Sequence, residues 1–526
     1  MNRIVAPLAL LLFLPLFGLA APFLFPGLGF SDLPVTGTLS HLWNFVLAGY
    51  IASTLLLILG VGVGVFILGV GNAWIIASYD FPGKKVFEWA LILPLAVPTY
   101  VMAYLFVDLL QFSGPIQTTL RTLLGVEALW FFPDPRSLSG AIWSFSFCLF
   151  PYVYLITRTA FLERSDRLIE VSETLGYSPL QGFMKLVLPM ARPAIFAGMA
   201  LALMEVLADF GAVSYFGVQT FATGIFKAWL SFGDRLAAVQ LALGLLSFVL
   251  LIFFIEQSSR SKLRYATSSQ GRQTTKRLHG RHSLFAFLFC GFTLLFGFLL
   301  PGLALLQLLY KQGLSVDIRY LDWLSNSLLV SFATALISVA FALFFAYAVR
   351  VNPRLAWVNR LLGFGYALPG AVLAIGVLSF LEIFDLAWWI SASLLILVYA
   401  YLVRFLSSSL QSVEAGLSRI TPSMDGSAAL LGLSKIQILR RVHVPLLKRS
   451  LITAGLFVFV DVMKELPATL VLRPFNNDTL AVMAYQLARD ERLGEAALPS
   501  LALVLVGLLP VIMLSRAMGK KPLTKT

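Results

Sequence analysis

Charge is scarce in this chain. Of its 526 residues only 12% are Asp, Glu, Lys or Arg, against about 25% in ordinary soluble proteins. No long polar stretch is present from which a soluble domain could be built. With 59% hydrophobic side chains and a mean hydropathy of +0.87, a soluble globule, a disordered chain and a nucleic-acid-binding domain are all excluded. Cysteine is nearly absent. Cys148 and Cys290 both lie in apolar runs, so a zinc site and a disulfide framework are ruled out and core packing is expected. The four histidines, His41, His279, His282 and His443, do not cluster as metal ligands. His279 and His282 lie in a polar stretch, where solvation is the simpler reading. No G-x-x-x-x-G-K-[ST] occurs, because Gly83-Lys84-Lys85 and Gly519-Lys520-Lys521 lack its form. Asp209-Phe-Gly211 spells a kinase motif without any companion element. No nucleophile, base and orienter constellation is visible.

What the chain has instead is apolar runs. A hydrocarbon core about 30 Å thick needs about 20 apolar residues per helix. Twelve such runs are found, near 5–25, 44–72, 87–112, 139–160, 194–215 and 235–256, then 284–309, 327–350, 358–382, 387–408, 452–472 and 498–516. The first could be a signal peptide, with Arg3, an apolar stretch and Leu19-Ala20-Ala21. A retained helix fits better, since the apolar region outruns the usual signal length and prolines continue to Pro26.

The net charge of +13 reads as cytoplasmic loops rather than as a nucleic-acid surface. Arg3, Lys84, Lys85, Arg164, Arg167, Lys185 and Arg192 fall on one side of a twelve-helix chain. So do the basic residues of 258–282, Arg350, Arg354, Arg360, Arg404, Arg440, Arg441, Lys448, Arg449, Lys520, Lys521 and Lys525. The opposite loops, 113–138 and 310–326, hold few Lys or Arg. Both termini are therefore expected in the cytoplasm. The segment 258–283 reads as a basic cytoplasmic linker between modules 1–257 and 284–526, with phospholipid binding as a second role.

The two halves repeat each other. Glu170-Val-Ser-Glu-Thr-Leu-Gly176 with Leu188-Pro189 answers Gly426-Ser-Ala-Ala-Leu-Leu-Gly432 with Val444-Pro445. The glycine-to-proline interval is thirteen residues in both, at an offset of 256. Pro98-Thr-Tyr-Val101 resembles Pro369-Gly-Ala-Val372 at an offset of 271, which leaves about fifteen extra residues in the first half. Gln111-Phe-Ser-Gly-Pro-Ile-Gln117 is the expected insertion. Six helices is an even number, so the repeats are parallel.

Segment 163–192 reads as an amphipathic helix, a turn at Gly176 and a second helix ending at Pro189. Ser178 is its N-cap and Pro179 its opening residue. Leu175, Leu180, Phe183 and Leu186 give it an apolar face outside the membrane. That face either lies on lipid or docks a cytoplasmic partner. Its recurrence at 425–449 suggests a partner that is itself a dimer.

These residues resemble the EAA loops of ABC-importer permeases, twice over, and the resemblance covers nearly the whole chain. Pro98-Thr-Tyr-Val-Met-Ala-Tyr104, Gln111–Gln117, Glu205-Val-Leu-Ala-Asp-Phe-Gly211 and Lys464-Glu-Leu-Pro-Ala-Thr469 are similar to the fused, two-module permeases for ferric iron. The resemblance implies an all-α polytopic membrane protein of about 12 transmembrane helices in two parallel six-helix repeats, the MetI-like permease fold. It implies ATPase docking through Glu170, Gly176, Leu188, Pro189, Gly426, Gly432, Val444 and Pro445. Gly426 stands where the second glutamate is expected, with Asp425 just before it. The ATPase would be a separate cytoplasmic subunit in two copies, which uses the ATP. This chain itself would bind no cofactor and would not be an enzyme. An external solute-binding protein would deliver cargo, and the location would be the bacterial inner membrane.

Glu205 and Asp209, and Asp461 and Glu465, lie four apart in apolar runs, which places each pair on one helical face. Intramembrane acids are costly and point to function. They suit transient contact with a hard cation such as Fe(III) along a translocation path. The plainer reading is a polar contact or hinge near a helix end, with Lys464 neutralising its neighbours. Gly60-Val-Gly-Val-Gly64 reads as close helix packing. Thiamine, sulfate or polyamine is the alternative cargo. A proton-coupled secondary transporter, which needs no matched docking loops, and a membrane enzyme are the other classes.

Overall fold

In a bilayer every backbone N–H and C=O must be satisfied within the protein, so apolar runs of this length become helices. The computed structural model describes residues 2–24, 40–127, 132–163, 174, 176–261, 276–313, 316–383 and 393–519. Among these, nine helices are long and apolar enough to cross a membrane: Val5–Leu24, Ser40–Ser78, Leu138–Leu162, Phe183–Ala208, Arg235–Ser258, Gly280–Gln312, Ile318–Val351, Leu394–Leu417 and Leu493–Met513. Two bent pairs bring the number to as many as 11: Lys84–Ala96 with Thr99–Leu124, bent by 98°, and Pro353–Ala367 with Gly370–Ile383, bent by 112°. Val444–Lys464 is a further helix of 21 residues. Lys448, Arg449, Asp461 and Lys464 make it more polar than the rest. It completes twelve, six in each half of the sequence. The only strands among the described residues are Tyr79–Asp80 and Lys276–Arg277, a two-residue parallel ladder.

The contacts gather the chain into two compact units, each built from both sequence halves. The first comprises Met1–Phe45, Gly224–Leu246 and Ser315–Gln486. Within it Ile318–Val351, Leu394–Leu417 and Val444–Lys464 pack on one another around Phe345, Tyr401, Leu406 and Val458. Asn2–Leu24 packs on Gly370–Ile383. Gly18 and Gly376 make that approach possible, because a Cβ on either would collide with backbone of the facing helix. The second unit comprises Val46–Thr223, Ser247–Leu314 and Leu487–Thr526. There Ala48–Ser78 lies along Leu138–Glu163. A Cβ on Gly60, Gly64 or Gly69 would strike Ile142, Ser146 or Val153, so this glycine series is a packing seam. Cys148 and Cys290 are buried and form no disulfide.

Two expectations about helix ends are corrected. Neither proline ends a helix. Pro179–Gly182 runs through a π-turn, Phe183–Val187, straight into Leu188–Ala208. Lys435–Ile438, Leu439–His443 and Val444–Lys464 do the same. Proline has no N–H to give to the preceding turn, and the wider π-turn just before Pro189 and Pro445 takes up that irregularity. The second correction concerns the apolar runs near 194–215 and 452–472. The helices begin earlier and break at Asp209 and Glu465, where the backbone becomes extended (φ −79°, ψ 131° and φ −68°, ψ 124°). Hydropathy does not register these breaks, because apolar residues continue across both.

Candidate functional site: docking segments and helix breaks

Two sets of residues carry the functional argument, and each is present in two copies. The first set is the pair of docking segments. Glu170 and Leu175 lie outside the described residues, as do Arg164 and Arg167. Gly176 has φ +74° and Gly432 has φ +78°, the left-handed conformation that glycine adopts at little cost. Each glycine is followed by a reciprocal cap. Ser178 and Gln181 exchange backbone-to-side-chain hydrogen bonds of 3.1 and 3.3 Å. Ser434 and Gln437 repeat them at 2.8 and 3.4 Å. Such a box satisfies two orphan N–H groups at the start of a helix. Leu188-Pro189 and Val444-Pro445 then open the long helices. The second segment carries an outward apolar surface: Leu430 is 91% exposed, Leu431 82% and Ile436 65%. Met184 is exposed in the first. Lys435, Arg440 and Arg441 lie beside the apolar residues of the second segment and are exposed.

Gly426 sits in the helix Pro422–Leu430 with nothing within 4 Å of where its Cβ would be. The neighbouring acid, Asp425, does not point outward alone. Its carboxylate accepts from Arg350 Nε at 2.7 Å and from His443 Nε2 at 2.6 Å. Partial burial opposes the charged form, yet the hydrogen bonds from Arg350 and His443 prevail. They hold the Asp425 carboxyl below the usual carboxylate range.

The second set is the pair of helix breaks, at equivalent positions of the repeat. Asp209 Oδ1 accepts from Ala212 N at 2.7 Å, and its Oδ2 accepts from Thr99 Oγ1. Glu465 accepts from Ala468 N at 2.9 Å, Thr469 N at 3.0 Å and Thr469 Oγ1 at 2.7 Å. Each carboxylate therefore caps the short helix that follows, Gly211–Tyr215 or Pro467–Leu472. Glu465 is also ion-paired with Arg404 at 2.9 Å, and its side chain is only 1% exposed. Gly370 makes room for that pair. A Cβ there would lie 2.5 Å from Glu465 Oε1 and 2.6 Å from Arg404 Nη1. At the matching position of the first half stands Thr99, whose hydroxyl is the partner of Asp209. Glu205 and Asp461 sit one turn earlier, inside their helices and half-buried.

The helical-face argument for each acidic pair therefore ends at the break, since Asp209 and Glu465 have left the helix. The sequence places Arg404 with the cytoplasmic basic residues; the structure instead buries it inside Leu394–Leu417, paired with Glu465, and Gly370 enters the sequence reading only through the repeat match. Arg404 carried the signal for itself, as a cation in the apolar run 387–408 that calls for a buried anion. Among the described residues no cluster of three His, Cys, Asp or Glu could hold a metal ion.

Residues 66–265 match the family described as Binding-protein-dependent transport system inner membrane component. The chain is 30% identical over 523 residues to the Fe(3+)-transport system permease protein FbpB 2 of Haemophilus influenzae, covering 97% of this chain and 98% of that one. It is 26% identical to the ferric transport system permease protein FbpB of Actinobacillus pleuropneumoniae, over 77% of this chain and 61% of that one. A shorter stretch, 29% of this chain and 52% of the relative, is 32% identical to the sulfate transport system permease protein CysT of Salmonella typhimurium. Repeated helices, paired caps and a near-full-length relative agree, and the chain belongs to the family of inner-membrane permease components of binding-protein-dependent transport systems.

Proposed function

We propose that this permease imports ferric iron, driven by a separate cytoplasmic ATPase that docks on 163–192 and 425–449. The observation that carries the cargo is similarity along 98% of a relative named for Fe(3+) transport. The sulfate permease is similar over a far shorter stretch. Docking rests on the duplicated left-handed glycine, cap and π-turn, joined to exposed apolar residues on the second segment. An exposed apolar surface outside the membrane packs against something, and two matched copies suit two copies of an ATPase. Glu170, Gly176, Leu188, Pro189, Gly432, Val444 and Pro445 are assigned to that interface, with Gly426 in the place of the second glutamate.

In this reading the ATPase hydrolyses ATP and this chain supplies the path. ATP binding closes the ATPase dimer and draws the two docking segments together. The halves open outward, a solute-binding protein delivers iron, and hydrolysis resets them. The termini and 258–283 lie in the cytoplasm. Asp209 and Glu465 serve first as caps of the helix breaks. Glu205 and Asp461, one turn away, are the acids assigned to brief contact with the cation. Tight chelation is unsuitable, because a bound ion must also leave.

The test is co-purification of this chain with a candidate cytoplasmic ABC ATPase, before and after Gly176→Val. A β-branched residue at positive φ is strained by roughly 1–3 kcal/mol, so the turn should deform. The substituted chain should stay in the membrane and lose coupled ATP hydrolysis. Unchanged assembly and uptake would remove the docking assignment.

A further inference from the structure

The two docking segments are fastened to their own units by different chemistry. In the second unit, Phe183 of the first segment packs on Trp74, with ring centroids 4.5 Å apart, and on Phe161 at 6.2 Å. Trp74 and Phe161 also meet, at 5.6 Å. Among the described residues that fastening is aromatic.

The second segment is fastened by polar groups. Arg350, at the end of Ile318–Val351, donates to Asp425 at 2.7 Å and to the carbonyls of Leu417 at 2.9 Å and Ile420 at 2.8 Å. His443 is fully buried and joins Asp425 from the π-turn at the far end of the segment, at 2.6 Å. One turn before Arg350, Tyr347 donates to the Lys435 carbonyl at 2.6 Å and meets the His443 ring edge-on at 5.4 Å. Thus both ends of 425–443 are tied to the last turn of one membrane helix.

The repeat offsets show that the first half lacks this triad at the matching positions. At 271 residues, Arg350 and Tyr347 answer to Tyr79 and Ile76. At 256 residues, Asp425 and His443 answer to Ile169 and Val187. None of these four bears a charge. The expected outward glutamate is Gly426, so the acid of this loop has moved one position and faces inward.

We propose that Asp425 is a positioning residue. With Arg350 and His443 it clamps the second docking segment to Ile318–Val351, so that displacement of the segment by the ATPase is passed to that helix. The proposal rests on the reading that 425–449 docks an ATPase, and it makes the two docking sites unequal. The described contacts of the first to its unit are apolar, whereas the second is held by a directional, charge-assisted network. Hydrogen bonds between ionised groups fix direction as well as distance, which suits a lever better than apolar packing alone.

The experiment uses the full chain with its ATPase, reconstituted into lipid vesicles with iron-loaded binding protein. It measures bound ATPase, ATP hydrolysed and iron taken up. In Asp425→Ala the ATPase should remain bound and hydrolysis should continue. Iron moved per ATP should fall by about tenfold or more, the size expected when a charge-assisted hydrogen bond is removed. Asp425→Asn keeps the shape and part of the bonding, should fall less, and decides the matter if the alanine variant does not fold. A clamp that only stabilised the fold would lower the melting temperature and leave iron per ATP unchanged. That result would overturn the proposal. Loss of ATPase binding would overturn it too, by making Asp425 a contact instead of a positioning residue. Failure of the unaltered chain to bind the ATPase would instead sink the docking reading itself.

Discussion

Arg404 and Glu465 show what a buried charge demands of its neighbours. The pair is almost wholly screened from solvent, and Glu465 also accepts from Ala468 and Thr469. Breaking a buried pair by removing one partner costs about 3–5 kcal/mol, because the other charge is stranded. Arg404→Ala is therefore expected to lower the melting temperature of the purified protein sharply. Gly370→Ala should lower it too, since its Cβ would enter the pair. Gly426→Ala, with open space around it, should melt like the parent. Equal melting of Gly370→Ala and Gly426→Ala would contradict the geometry. Asp425 gives a pH prediction at the same scale. Its folded pKa lies below its unfolded value, so its contribution to stability is full above the unfolded pKa, about 3.9. It is lost as pH falls through the lower folded value. Arg350, His443 and Tyr347 are the charged and titratable groups that face it. The Asp425 side chain is 31% exposed, and solvent screening at such a partly exposed site keeps the effect small. Proteolysis of the 425–443 segment should rise only under that acidity, and a rise near neutral pH would show another group in control.

At the scale of elements, the repeat keeps positions and changes chemistry. Thr99 with Asp209 becomes Gly370 and Arg404 with Glu465. Arg158 paired with Glu88 becomes Glu414 accepting from Asn359 at 2.6 Å. Docking elements change likewise, since Glu170 corresponds to Gly426 at the repeat offset of 256. A carboxylate at a docking surface can accept charge-assisted hydrogen bonds worth roughly 1.5–3 kcal/mol each, and glycine cannot. Glu170→Ala should therefore reduce ATPase binding more than Gly426→Ala does, as read by co-purification. A larger loss from Gly426→Ala would reverse the assignment. The glycine-to-proline spacing was readable in the sequence because a left-handed turn and a helix-opening proline restrict residue type. The sequence allows a hinge near a helix end at both acids, and Pro467 marks the one at Glu465, but nothing fixes the break at Asp209, because Phe210 to Phe216 is as apolar as a helix interior. The clamp of Arg350, Asp425 and His443 was hidden for another reason. Its members are 75 and 18 residues apart, and only packing brings them together.

For the whole molecule, the sequence shows two consecutive halves while the contacts group each unit from both. The helices Asn2–Leu24 and Leu300–Gln312, from opposite halves, each pack in the unit dominated by the other half. Sequence repetition records the duplication of a pattern, and packing decides which elements share a unit. Orientation can be checked directly. Reporters fused at 115 and 315 should read outside the cytoplasm and one at 270 inside, as the basic residues demand. An external 270 would overturn the orientation and with it the docking of a cytoplasmic ATPase. The central claim, ATP-driven import of ferric iron, is tested most directly in sealed vesicles holding this chain and its ATPase, with iron-loaded binding protein outside and ATP inside. Iron should accumulate only when ATP, ATPase and binding protein are all present, and unloaded or sulfate-loaded protein should not substitute. Accumulation driven by a proton gradient without the ATPase, or indifference to iron, would contradict the account.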